Sequence, residues 1–239
     1  MKKVLISSDG SHFIVDTEKD FHCRDGMIRK EQLKEGPVQT NKGTIFYCMN
    51  TSFVDLFRHL KRGAQIMLPK DIATIITESG MTRKSVVADA GTGSGALAAF
   101  LSLYCKKVYS FDIRDDHIAI SQQNLAFLGI KNVQVAKHDV YAEKPKVKVD
   151  VFVLDLQEPW KAIENIASCI KQGGFLFSYN PQITQSIEVV KTLKEREDFI
   201  VLRTLENIQR DWEIQGKIVR PKFGEIVHTG FITIARKLT

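Results

Sequence analysis

Val86-Val87-Ala88-Asp89-Ala90-Gly91-Thr92-Gly93-Ser94-Gly95-Ala96-Leu97 runs from an apolar stretch, past an acid and across three alternating glycines, into a second apolar stretch. The pattern predicts a β-strand, a tight turn and a helix. Glycines allow positive φ and let the backbone approach a ligand with no Cβ in the way. A second apolar run, Val108-Tyr109-Ser110-Phe111, ends in another acid, Asp112. An acid at that spacing suits a nucleoside ribose held between two strand ends.

Outward from this turn, strands and helices alternate. Strands are predicted at 86–90, 108–112, 133–137, 149–155 and 175–179. Helices are predicted at 72–79, 95–104, 115–128, 161–170 (closed by Gly173-Gly174) and 183–194. Such alternation predicts an α/β fold built on a doubly wound parallel sheet. The tail breaks the rhythm: 202–215 and 228–236 read as strands with no helix between, so the sheet ends in an antiparallel pair. Before the alternation, short strands at 4–6, 12–15 and 44–48 are separated by Ser8-Asp9-Gly10, Gly36-Pro37 and Asn41-Lys42-Gly43. These predict a small N-terminal β domain over 1–50. A linker helix (51–60) and connecting segment complete 51–70, and the catalytic domain covers 71–239.

The acid before the first glycine discriminates between cofactors. Asp89 would repel the pyrophosphate of a dinucleotide. S-adenosylmethionine has no phosphate, and its amino and sulfonium groups are cationic, so Asp89 favours it. Ligands of such sheets sit outside the carboxyl ends of the strands. Asp89, Asp112, Asp139, Asp155 and Tyr179 all fall at predicted strand ends, which argues for one shared pocket.

The 239 residues suffice for one large domain or for one large plus one small, and the 44% hydrophobic content is that of an ordinary globular chain. No apolar run approaches the roughly 18 residues of a membrane span. The N-terminal Met1-Lys2-Lys3-Val4-Leu5-Ile6-Ser7-Ser8-Asp9 turns polar too early for a signal peptide, so a cytoplasmic protein is expected. Cys23, Cys48, Cys105 and Cys169 form no Cys-x-x-Cys pair, which speaks against zinc and for buried thiols. The net charge of +6 is unevenly spread. Residues 1–63 carry 11 Lys and Arg against 8 acids, 64–190 carry 13 against 13, and 191–239 carry 10 against 7. A neutral middle between basic flanks suits a polyanionic partner held by peripheral surfaces.

Several further segments carry a resemblance: 62–71 (Arg-Gly-Ala-Gln-Ile-Met-Leu-Pro-Lys-Asp), Asp155-Leu156-Gln157-Glu158-Pro159-Trp160, Tyr179-Asn180-Pro181-Gln182-Ile183-Thr184-Gln185, and His228-Thr229-Gly230-Phe231. With the glycine turn, they make the chain resemble the bacterial and archaeal tRNA (adenine-N1)-methyltransferases over about 62–237. Those enzymes methylate adenine 58 and in some archaea adenine 57. Gln157 stands where many members have proline, Leu68 where many have tyrosine, and Gly230 where many have alanine. The resemblance implies a seven-stranded S-adenosylmethionine-dependent (Rossmann-like) core, a tRNA substrate, and a homotetramer without metal. It also implies cofactor contacts from Gln65 and from the turn residues Asp89, Gly91, Gly93, Ser94, Gly95, Ala96 and Leu97. Asp112 is assigned to the ribose and Asp139 to the neighbourhood of the adenine, with Ile113, His117 and Val140 as further cofactor contacts. Asp155 is implied as the catalytic residue, close to both cofactor and target base.

Adenine N1 is nucleophilic without prior deprotonation, so the chemistry asks for positioning and for charge stabilisation. Asp155 can accept from N6–H and balance the cation formed on the base. Pro159 and Trp160 would stiffen and wall the pocket, Tyr179 would stack on the extruded base, and His228 would contact base or phosphate. Three alternatives remain at this level. An exocyclic-amine methyltransferase is disfavoured because the chain lacks Asp/Asn-Pro-Pro-aromatic. A catalytically silent tRNA-binding subunit is disfavoured because Gly91, Gly93, Gly95, Asp112 and Asp155 are all present. A nicotinamide dehydrogenase is disfavoured by Asp89 and by the antiparallel ending.

Overall fold

The computed structural model describes residues 2–63, 66–222, 224 and 228–239. The chain forms two compact units, Met1–Leu60 and Lys61–Thr239. In the first, β1 (Lys2–Ser7), β2 (His12–Asp16), β5 (Gly36–Gln39) and β6 (Ile45–Asn50) make an antiparallel sheet in the order β2-β1-β6-β5. A hairpin, β3 (Phe21–Cys23) with β4 (Gly26–Ile28), lies in the same unit. Period-two alternation puts Phe46 and Cys48 inside and Ile45, Tyr47 and Met49 outside. The buried set is Leu5, Val15, Ile28, Leu33, Val38, Phe46 and Cys48. The helix predicted over 51–60 is the short α1 (Phe53–Phe57). Ser52 caps it by accepting from the Asp55 amide, and Asp55 ties it to β2 through His12 Nε2 at 3.0 Å.

The second unit opens with α2 (Pro69–Ser79), then β7 (Val86–Ala90), α3 (Ala96–Ser102), β8 (Lys107–Asp112) and α4 (Asp115–Leu128). It continues with β9 (Val133–Lys137), β10 (Val149–Leu154), α5 (Ile163–Ala167), β11 (Ile170–Asn180) and α6 (Ile183–Lys194). It ends with β12 (Phe199–Glu206), the hairpin β13 (Trp212–Gln215) with β14 (Ile218–Pro221), and β15 (Phe231–Lys237). The seven-stranded sheet has the order β12-β15-β11-β10-β7-β8-β9. Strands β11 to β9 pair in parallel, and β15 pairs antiparallel with both β11 and β12.

The sheet is covered on both faces, which is why its central strands are continuous apolar runs. On β10, Phe152 and Leu154 pack with Ile163, Ile166, Val189 and Leu193 of α5 and α6. Val151 and Val153 point the other way, to Ile72, Ile75, Leu97 and Leu101 of α2 and α3. Phe152 and Phe177 are fully buried, one in each of these layers. Truncating either to alanine removes about 3–5 kcal/mol of stability.

Several boundaries differ from the sequence expectations. Helix α2 starts at Pro69, whose fixed φ suits the first helical position. The helix predicted over 161–170 is a 3-10 turn, Pro159–Ala162, followed by the five-residue α5. Gly173 and Gly174 lie inside β11, not at a helix end. There Val149 pairs with Ile170 and Val151 with Phe175, so the intervening residues of β11 bulge out of register. The strand predicted over 202–215 is two: β12 in the main sheet and β13 in a separate hairpin. His228, Thr229 and Gly230 precede β15 instead of belonging to it.

Candidate active site

The carboxyl edge of the parallel strands gathers the titratable groups. Asp89 sits one residue before the end of β7 and is 1% exposed. Thr92 Oγ1 and Ser110 Oγ lie 2.6 Å apart, and Ser110 donates to Asp89 Oδ2 at 3.1 Å. Asp89 Oδ1, by contrast, is buried with no partner among the described residues. Burial pushes the Asp89 carboxyl up to about 8; the Ser110 bond opposes this, and the charges of Asp155 and Asp112 add to it.

Gly91 follows at φ 98°. A Cβ there would stand 2.0 Å from the Asp155 carbonyl oxygen. The cause is pairing: Asp155 N donates to Ala90 O at 2.9 Å, carrying the β7–β10 ladder one residue past β10. Gly91 and Thr92 amides both donate to Phe111 O, at 2.9 and 3.1 Å, locking the turn against β8.

Asp112 ends β8. Its Oδ2 accepts from the Gly93 amide and from His117 Nδ1, both at 3.1 Å, and its Oδ1 accepts from the Arg114 amide at 3.0 Å. Oδ1 therefore keeps capacity for another donor such as a ribose hydroxyl. Asp139 Oδ1 accepts from the Tyr141 amide at 2.9 Å, fixing the loop after β9. A small cleft of about 50 Å³ lies here, lined among others by Gly91, Asp112, Ile113, Asp139 and Val140. Phe111, His138, Tyr141 and Leu156 complete its apolar walls. The sequence alone does not single out these four, although Phe111 and His138 directly precede the two strand-end acids.

Asp155 follows β10 and keeps an edge exposed to solvent. No described residue hydrogen-bonds its carboxylate, and burial pushes its pKa up to about 7. Trp160 lines a separate groove with Gln157, Glu158, Gln182, Thr184, Gln185 and Glu188. Gln185 Nε2 donates to Gln157 O at 2.8 Å, bracing the loop after Asp155 against α6.

Other predicted site residues fall elsewhere. Ser94, Ala96 and Leu97 are buried in the turn and the start of α3, with Leu97 packed in the core. Gly93 and Gly95 shape the turn, and His117 holds Asp112. Gln65 lies outside the described residues. Tyr179, expected to stack on the base, is 6% exposed and packed in the core, with its hydroxyl donating to Thr229 O at 2.8 Å. Burial, with the nearby Asp71 carboxylate, holds its phenol above the ordinary range, so it stays a donor. His228 is half-exposed, with Nδ1 2.5 Å from Glu206 Oε1 and Nε2 2.9 Å from Pro181 O.

The residues present fit S-adenosylmethionine. A buried carboxylate oxygen without a described partner awaits a donor or cation, a turn without Cβ leaves room, and an apolar slot with a ribose-ready acid adjoins it. Among the described residues no group of three His, Cys, Asp or Glu is placed to hold a metal.

The seven-stranded sheet and this edge define an S-adenosylmethionine-dependent methyltransferase fold. Among solved structures it is similar to a SAM-dependent O-methyltransferase from Thermotoga maritima, with a TM-score of 0.91, 27% identity, and coverage of 100% of this chain and 93% of the other. It shares its fold with the tRNA (m1A58) methyltransferase TrmI from Aquifex aeolicus, with a TM-score of 0.84, 22% identity, and coverage of 100% and 97%. The family model described as tRNA methyltransferase complex GCD14 subunit matches residues 57–226. The tRNA (adenine(57)-N(1)/adenine(58)-N(1))-methyltransferase TrmI of Methanocaldococcus jannaschii is 32% identical, over 98% of this chain and 94% of its own length. The tRNA (adenine(58)-N(1))-methyltransferase TrmI of Thermus thermophilus is 33% identical, over 91% and 88%. The chain belongs to this tRNA (adenine-N1)-methyltransferase family.

Proposed function

We propose that this protein transfers a methyl group from S-adenosylmethionine to N1 of adenine 58 in the T-loop of tRNA, with adenine 57 as the second candidate position. The observation that carries this reading is Asp155, a carboxylate at the ligand edge with no described hydrogen-bond partner. The family membership supplies the substrate class.

S-adenosylmethionine supplies an electrophilic methyl on a cationic sulfur. The chain's residues do the rest. Asp89 Oδ1 takes a cationic group of the cofactor, Asp112 the ribose, and the walls around Asp139 and Val140 the adenine ring. Asp155 accepts from N6–H of the target adenine and stabilises the positive charge that develops on the base. One preorganised electrostatic group of this kind contributes on the order of 10²–10³ in rate. Trp160 and the basic flanks contact the RNA. The family resemblance points to action in the cytoplasm as a homotetramer.

The test is mass-spectrometric mapping of methylated nucleosides in unmodified tRNA treated with protein and cofactor. 1-Methyladenosine at 58, or at 57 and 58, supports the reading. A 2′-O-methylated nucleoside or N6-methyladenosine refutes it.

A further inference from the structure

We propose that Asp71, together with Lys70, is the positioning residue of the sheet edge that carries Asp155. It acts through Tyr179 and Thr229 and touches no substrate itself. The proposal rests on the methyl-transfer reading above.

Asp71 lies in the first turn of α2 and is 0% exposed. Its carboxylate gathers three donors, from Thr229, Asn207 and Lys70. Thr229 Oγ1 reaches Oδ2 at 2.6 Å, and the Tyr179 hydroxyl oxygen lies 3.4 Å from the same Oδ2 while its proton goes to Thr229 O. Asn207 Nδ2 reaches Oδ1 at 3.0 Å and Lys70 Nζ reaches it at 3.2 Å. Lys70 spends its other two ammonium protons on Asn207 O and Thr229 Oγ1, both at 2.6 Å. Every lysine proton and both carboxylate oxygens are therefore engaged.

Four separate stretches of chain meet at this pair: the start of α2, the end of β11, the residue after β12 and the residues before β15. A helix terminus could be packed there with apolar side chains at less desolvation cost than an ion pair. The ion pair instead fixes direction, because each partner is held at one hydrogen-bond geometry. The parts it fixes belong to the carboxyl edge of the sheet. Tyr179 sits near enough to Asp155 for that carboxylate to help keep its phenol protonated. Gly230 closes the other side: a Cβ there would stand 2.7 Å from Tyr179 Cζ. The phenol is thus clamped between the Gly230 backbone, Thr229 O and Asp71. Next to Thr229, His228 reaches Pro181 and Glu206. Asp71 therefore sets both the Tyr179 ring and the 228–230 segment along the edge that carries Asp155.

The experiment is a double-mutant cycle with Asp71→Asn and Tyr179→Phe on the full chain. Its readouts are kcat and KM for tRNA methylation, S-adenosylmethionine affinity by calorimetry, and thermal unfolding. Asparagine puts an amide N–H₂ toward donors that need an acceptor. Each single change is expected to lower kcat about tenfold, with KM and cofactor affinity within about twofold. The double variant is expected to be no slower than the slower single one, because both changes break the same link. An unaltered kcat in Asp71→Asn overturns the proposal. So do losses that multiply in the double variant, or a loss that disappears when activity is divided by the folded fraction. If Asp71→Asn does not fold, Thr229→Val takes its place in the cycle and the same outcomes apply. Absence of 1-methyladenosine from the parent protein's reaction would instead overturn the functional reading.

Discussion

The carbonyl oxygen of Asp155 lies against Gly91 so closely that no side chain fits between them. The cofactor turn and the proposed catalytic loop are therefore one backbone contact apart. Gly91→Ala meets two penalties: φ 98° is unfavourable for an L side chain, at about 1–3 kcal/mol, and the new methyl collides with backbone. Loss of both cofactor binding and methyl transfer is expected. Calorimetry showing parental affinity in Gly91→Ala would mean that the two loops can separate freely.

Asp155→Ala should bind S-adenosylmethionine almost normally while single-turnover methylation slows by on the order of 10²–10³. Asp155→Asn should be nearly as slow, since the amide can accept from N6–H but carries no charge. In the parent, the rate should climb with pH through about 7, where the partly buried carboxyl ionises. An asparagine variant with near-normal rate would remove Asp155 from the mechanism.

Asp89 should report cofactor binding through protons. With its carboxyl at about 8, it is mostly protonated at pH 7 in the free protein. A cationic group placed at the unpartnered Oδ1 favours the carboxylate, so binding should release up to one proton. Enthalpies of cofactor binding measured in phosphate and in Tris at pH 7 should differ accordingly, and the difference should vanish in Asp89→Asn. The sign for stability follows from the same shift. Between the ordinary carboxylate value and about 8, the folded protein holds a proton that the unfolded chain has lost, so stability declines as pH rises across that window. Equal enthalpies in the two buffers would sink the assignment.

His228 should titrate above 6.5. Both ring nitrogens face acceptors, Glu206 first and the Pro181 carbonyl second, and both bonds exist together only in the imidazolium. Its contribution to holding the 228–230 segment is complete below the unfolded value and is lost as pH rises through the raised one. An NMR titration of the ring should show the raised midpoint, and Glu206→Gln should bring it back down. A midpoint at or below 6.5 in the parent would contradict the geometry.

The glycine turn, the strand-end acids and the alternation are legible in the sequence because each rests on local chemistry: period-two runs, positive-φ glycines and acids ending strands. Helix α4 and helix α6 fall on the predicted 115–128 and 183–194 for the same reason. The rest depends on distant partners. Gly173-Gly174 resembles a helix stop, yet it serves a bulge set by the register between β10 and β11. Tyr179 does fall near the end of a strand, β11. Its inward orientation follows from Asp71, Thr229 and Gly230, which are 108, 50 and 51 residues away. The single strand expected over 202–215 divides because Asn207 through Asp211, polar except for the exposed Ile208, carry the chain out of the main sheet before β13 pairs locally with β14.

The chain has two tryptophans, and the fold separates their surroundings. Trp212 stands on the β13–β14 hairpin with 54% of its surface exposed, whereas Trp160 lines the groove beside the Asp155 loop. Replacing Trp212 with phenylalanine leaves one indole emitter, located where the RNA is proposed to enter. Its fluorescence then gives a stopped-flow signal for substrate docking that is independent of methyl transfer, so the arrival of tRNA and the chemical step can be timed separately in one cuvette.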